Sequence, residues 1–86
     1  MAQDNSSISF SIYHAGKLVR EVDFDRPIIN VGKLSTSNLR LEDDNVSRKH
    51  AVIERRENGE WRITDLGSTN GTLVNGKQVT QAILRD

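Results

Sequence analysis

Apolar residues in this sequence recur at every second position in short runs, and each run is cut by a turn signal. That combination describes strands rather than helices. Ile8, Phe10 and Ile12 share one face of the opening run, while Ser9, Ser11 and Tyr13 share the other. His14-Ala15-Gly16 supplies a turn, and Leu18, Val22 and Phe24 mark a returning strand that ends before Pro27. Ile28 to Val31 is a short apolar run closed by Gly32, Ser35 to Asn38 is turn-forming, and Leu39 and Leu41 alternate around Arg40. The acidic turn Glu42-Asp43-Asp44-Asn45 leads into Val46-Ser47, and His50 to Glu54 is a further β-rich run with Ala51 and Ile53 on one face. Asn58-Gly59 and Asn75-Gly76 are hairpin signals, because both residue types tolerate positive φ. Trp61 and Ile63 follow the first signal, and Thr72-Leu73-Val74 is expected to pair with Gln78-Val79 around the second. No segment sustains a helical period with caps. Roughly ten short segments at turn-punctuated spacing predict an all-β fold, a sandwich of antiparallel sheets.

An 86-residue chain makes one domain with a modest core. Met1 to Ser7 is polar and is expected to be a solvated leader, with the domain itself over residues 8–86. The leader lacks the apolar stretch of a signal peptide, and no apolar run is long enough to span a bilayer as a helix, so a cytoplasmic location is expected. Twelve basic and twelve acidic side chains cancel, so no overall field draws the chain to nucleic acid or a membrane, and any anion site must be local. With no cysteine, disulfides and thiolate metal sites are excluded, and two histidines alone do not close a structural zinc site.

Three segments carry candidate chemistry. Gly67-Ser68-Thr69-Asn70-Gly71 is a loop whose terminal glycines permit tight backbone and whose tip offers hydrogen-bonding side chains, although such turns are also common as plain punctuation. In Ser47-Arg48-Lys49-His50 a hydroxyl stands beside two cations, as in an oxyanion clamp; a solvated basic turn has the same composition. Lys33, emerging with Gly32 at the end of a strand, can reach a bound phosphate, but Gly32-Lys33 is not a phosphate-binding P-loop. Ser47, His50 and Asp65 do not make a hydrolase triad, since the Gly-x-Ser-x-Gly elbow is absent and the spacing orients no base. Arg48, Lys49, Arg55 and Arg56 lack an aromatic platform for single-stranded nucleic acid. The Asn-x-Ser/Thr sequons at Asn5, Asn45 and Asn70 are chance matches in a chain without an export signal.

Taken in order, Val31-Gly32-Lys33, Leu39-Arg40-Leu41, Val46-Ser47-Arg48-Lys49-His50-Ala51-Val52-Ile53 and the run from Asp65 to Gly76 closely resemble the forkhead-associated (FHA) domain. The resemblance runs from about residue 8 to the end of the chain and includes the family's landmark motifs in order. It implies a SMAD/FHA-like β-sandwich whose loops at one end grip a phosphothreonine peptide, acting in signalling without enzymatic activity or a cofactor. On this resemblance Ser47 and Thr69 would hydrogen-bond the phosphate, Arg48 would present its backbone amide and guanidinium, and Asn70 would hold the peptide backbone. His50, Gly71 and Gly32 would brace the binding loops. Side chains of Leu34 to Asn38 and Asn75 to Gln78 are candidates for reading the flanking residues.

The sequence departs from the family pattern in two places. Lys33 stands where the family usually has arginine, which exchanges a planar two-pronged contact for one hydrated point charge. Lys33 can still pair with phosphate; the alternative is a phosphate-independent docking or oligomerisation module on the same sandwich. The family pattern also continues beyond Ile83-Leu84-Arg85-Asp86 with two more strands. The chain is therefore expected to be an amino-terminal part of a longer protein lacking its last strands, with an open sheet edge that invites dimerisation or strand exchange.

Overall fold

The computed structural model describes residues 7–85, so most of the expected leader lies outside the described residues. Its elements are β1 (Ile8–His14), β2 (Lys17–Phe24), β3 (Ile28–Gly32), β4 (Leu39–Arg40), β5 (Ala51–Arg55), β6 (Trp61–Asp65), β7 (Leu73–Val74), β8 (Lys77–Gln78) and β9 (Gln81–Leu84). There is no helix among the described residues, in line with the all-β expectation.

Strands β1 and β2 form an antiparallel ribbon, paired Ile8 to Phe24 and Phe10 to Val22, with a bulge between Ile12 and Tyr13. The alternation seen in the sequence places Ile8, Phe10, Ile12, Val22 and Phe24 against the core, with Phe10 and Phe24 meeting edge-on at 6.1 Å between ring centroids. The core itself is small: Ile29, Val31, Leu39, Ala51 and Ile53 are buried. These residues lie on a five-stranded sheet of order β4-β3-β5-β6-β9, which the ribbon covers as a second layer. The guanidinium of Arg20 on β2 donates to the Arg40 carbonyl and ties the ribbon to β4. A separate small hairpin pairs β7 with β8.

The antiparallel expectation needs correction at one edge. Strands β3 and β4 run parallel, Val31 beside Leu39 and Gly32 beside Arg40, so the sheet is mixed. A two-residue strand has no periodicity to read, and its direction is set by long-range bonds: Asn38 Oδ1 accepts from the Asn30 amide at 2.8 Å and the Gly32 carbonyl from Leu41 N–H at 2.9 Å. The stretch ending at Leu84, for which the alternation gave no strand, is β9. β9 pairs with β6 from Trp61–Leu84 to Thr64–Gln81, and Leu84 packs on the core.

The two Asn-Gly turns differ. Asn75 and Gly76 both adopt positive φ, 52° and 81°, as a tight two-residue hairpin requires. At the other turn only Gly59 does so, at 87°: its amide closes a four-residue turn onto the Arg56 carbonyl at 2.9 Å, and Asn58 inside that turn keeps ordinary φ.

Candidate functional site

Register fixes where the chemistry gathers. Val31 pairs with Ala51 and Ala51 with Asp65, so the end of β3, the start of β5 and the end of β6 lie at one end of the sheet. The segments that leave this end are residues 33–38, 41–50 and 66–72, and they contain Lys33, Ser47, Arg48, His50, Thr69, Asn70 and Gly71.

The first junction is Gly32 against the turn before β5. The Lys33 amide is shared between the carbonyls of Ser47 and Arg48, each at 3.1 Å, and the His50 amide donates to Val31 at 3.0 Å. A β-carbon on Gly32 would lie 2.0 Å from the Arg48 carbonyl oxygen, so the close approach requires glycine.

His50 forms the second junction. Its Nδ1 accepts from the Ser47 amide and its Nε2 lies on the Gly71 carbonyl, both at 3.0 Å. A carbonyl only accepts, so the proton resides on Nε2 and Nδ1 carries the lone pair for Ser47. One partly buried imidazole thus joins the second loop to the third. Gly71 adopts a φ of 84°, which aims its carbonyl at the histidine without a strained side chain.

The third loop is built on Asp65. Trp61, Ile63 and Asp65 share a face of β6 by strand alternation, so Asp65 is the last inward position before the loop. Its Oδ2 accepts from the amides of Gly67 (2.9 Å) and Ser68 (3.1 Å), and its Oδ1 from the hydroxyls of Ser68 (2.5 Å) and Thr72 (2.7 Å). The hydroxyl of Ser68 and then that of Thr72 are the main causes that hold the Asp65 carboxyl down at about 2. Ser68 Oγ also accepts from the Gly71 amide at 3.0 Å, closing the loop on itself.

The loops then meet. Ser47 Oγ accepts from the Thr69 amide at 3.0 Å, and the Asn70 side-chain amide donates to the Asn45 carbonyl at 2.9 Å. Accepting from Thr69 leaves the Ser47 hydroxyl its own proton to donate. The Thr69 side chain and the Arg48 guanidinium stand exposed, without an intramolecular hydrogen bond or ion pair among the described residues. Lys33 Nζ lies 3.1 Å from Asp44 Oδ1.

The candidates from three distant stretches of sequence therefore come together in one loop cluster, with Ser47 at its centre and Lys33 and Arg48 set on the loops around it. Four further participants have no role in the assignment that the family resemblance gives: Asp65, Ser68, Asn45 and Asp44. For the first two a local signal exists, an aspartate whose carboxylate can take the amides two and three residues on, as in Asx turns and capping boxes. For Asn45 and Asp44 there is none, because their contacts are long-range.

An all-β scaffold that presents hydroxyls, amides and cations from braced loops has the donor chemistry that suits an anionic group. The model of the FHA domain family matches residues 29–86, more than half of the chain. The chain belongs to the FHA domain family. It is similar to the glycogen accumulation regulator GarA of Mycolicibacterium smegmatis, 43% identical over 60 residues that cover 70% of this chain and 37% of GarA. The chain thus spans little more than a third of that curated relative. Among solved structures it is similar to Mycobacterium tuberculosis EmbR in complex with a low-affinity phosphopeptide, with a TM-score of 0.76, 28% identity, and coverage of 93% of this chain and 20% of EmbR. A structure from work on phosphothreonine-dependent FHA domain interactions gives a TM-score of 0.77 at 29% identity, covering 95% of this chain and 81% of that one.

Proposed function

We propose that this domain recognises phosphothreonine in a partner protein, and that its role is regulatory interaction rather than catalysis. The observation that carries the reading is the Ser47–Thr69 contact. It seats the Ser47 hydroxyl, its own proton free to donate, against the Thr69 backbone, in the loop cluster that also carries the exposed Thr69 side chain, the Arg48 guanidinium and Lys33. A phosphate ester carries about −1.5 to −2 charges at neutral pH and three acceptor oxygens, which such a cluster matches. In this reading Ser47 and Thr69 donate to phosphate oxygens, and Arg48 and Lys33 supply charge. Asn70, anchored through Nδ2 on Asn45, offers its Oδ1 to the peptide backbone. His50, Gly32 and Gly71 keep the loops in place. The EmbR–phosphopeptide complex and the phosphothreonine-dependent interactions of the other neighbour support the same ligand class.

The test is a titration, followed by amide chemical shifts, with matched phosphorylated and unphosphorylated threonine peptides. Expected are shifts that require the phosphate and cluster at Lys33, Ser47, Arg48, Thr69 and Asn70. Ser47→Ala should weaken binding about tenfold or more, the worth of a hydrogen bond to a charged group. Equal binding of both peptides would replace this reading with phosphate-independent docking.

A further inference from the structure

Loop 41–50 is anchored on both sides of Asp44. On one side His14 Nε2, on the β1–β2 ribbon, lies 2.9 Å from Asp43 Oδ2. The Asn45 amide, ahead of the pairing with His14, keeps the Asp43 carboxyl below its usual range and so ionised. On the other side the Asn45 carbonyl receives the Asn70 side chain. Between these anchors the Asp44 side chain is fully exposed, and its one polar contact among the described residues is the Lys33 ammonium at 3.1 Å. Lys33 is the cation at the end of β3, beside the turn that carries Ser47 and Arg48.

We propose that Asp44 is a built-in competitor for the ligand's phosphate and so a specificity-determining residue of the site. This rests on the phosphothreonine reading above. Without ligand, the Asp44 carboxylate occupies Lys33. A phosphate that reaches Ser47 and Thr69 must take the ammonium from it, and then sits close to an unpaired carboxylate. Both effects oppose binding, so Asp44 sets a threshold that a weakly charged ligand fails to cross. Lysine suits the exchange: a compact point charge on a flexible stem changes partner by rotation, whereas a guanidinium fork paired with a carboxylate would have to give up two parallel bonds. The Arg48 guanidinium, without a partner among the described residues, is left to make the first contact, before Lys33 is released.

A phosphothreonine peptide should be titrated calorimetrically into the wild type, Asp44→Asn, Lys33→Met and the double variant, at low and high salt. Asp44→Asn leaves the anchors of Asp43 and Asn45 in place, so the loop keeps its course. It should bind roughly two- to fivefold more tightly than the wild type, the range expected for removing an exposed charge. The gain should shrink at high salt, as a screened interaction does, and be smaller when Lys33 is already replaced, because only the repulsion between carboxylate and phosphate is then left to remove. Unchanged or weaker binding by Asp44→Asn would overturn the proposal, as would a gain undiminished by the loss of Lys33 or insensitive to salt. Failure of the wild type itself to prefer the phosphorylated peptide would be a different result, and would remove the phosphothreonine reading together with this one.

Discussion

Replacing Asp65 by asparagine tests whether the third loop is organised by one carboxylate. Asp65 accepts four hydrogen bonds within its own loop, two from backbone amides and two from hydroxyls. Asparagine keeps one oxygen and puts an NH2 group where the other stood, so one pair of donors faces a donor. A carboxyl lowered from 3.8 to about 2 sets a ceiling of about 2.4 kcal/mol for the charged form's contribution. The side chain is only partly buried, and solvent screening reduces this to roughly 1–1.5 kcal/mol. The folded-state value is depressed, so the contribution is fully present above the unfolded value of 3.8 and is lost as pH falls through about 2. Urea unfolding, followed by the fluorescence of the single tryptophan Trp61, reports the stability of wild type and Asp65→Asn at a series of pH values. At neutral pH the variant should be less stable by roughly 1–1.5 kcal/mol, and the gap should narrow between about pH 4 and about pH 2. Phosphopeptide affinity should fall as well, because Ser68 carries the Gly71 amide and Thr69 lies between them. Equal stability at neutral pH, or a deficit that stays constant as the carboxylates protonate, would refute this account of the loop.

Other substitutions probe the remaining junctions. Gly32→Ala drives a β-carbon to 2.0 Å from the Arg48 carbonyl, so the turn carrying Ser47 must shift; a loss of roughly 1–3 kcal/mol in urea unfolding and a larger proportional loss of phosphopeptide binding are expected. His50→Ala strands the Ser47 amide and the Gly71 carbonyl; it should cost roughly 2–4 kcal/mol by the same assay and broaden the amide resonances of both loops. Ala15 adopts a φ of 54° in the β1–β2 turn, so Ala15→Gly should raise stability by roughly 0.5 kcal/mol, and a decrease would argue against that backbone.

Much of the scaffold was legible from local pattern. The alternation of Ile8, Phe10 and Ile12 against Val22 and Phe24 gives the ribbon and its buried face, and Asn75-Gly76 gives a hairpin whose positive φ values follow from residue type alone. These are short-range effects, in which a side-chain period of two and a turn preference act within a few residues. The family motifs carried the candidate residues too, since Ser47, Arg48, Thr69 and Asn70 can be placed without coordinates.

Tertiary structure decided what those residues do to one another. The parallel course of β4 hangs on two long-range bonds, and two residues hold no pattern to announce it. The protonated nitrogen of His50 follows from a carbonyl twenty-one positions later, at Gly71. The contact of Ser47 with Thr69 exists because β3, β5 and β6 end in register, and the occupation of Lys33 by Asp44 exists because Asp43 and Asn45 are anchored to different parts of the fold. Local sequence sets the conformation of each strand and turn, but a binding site depends on the distances between loops, and those are set only when the sheet assembles.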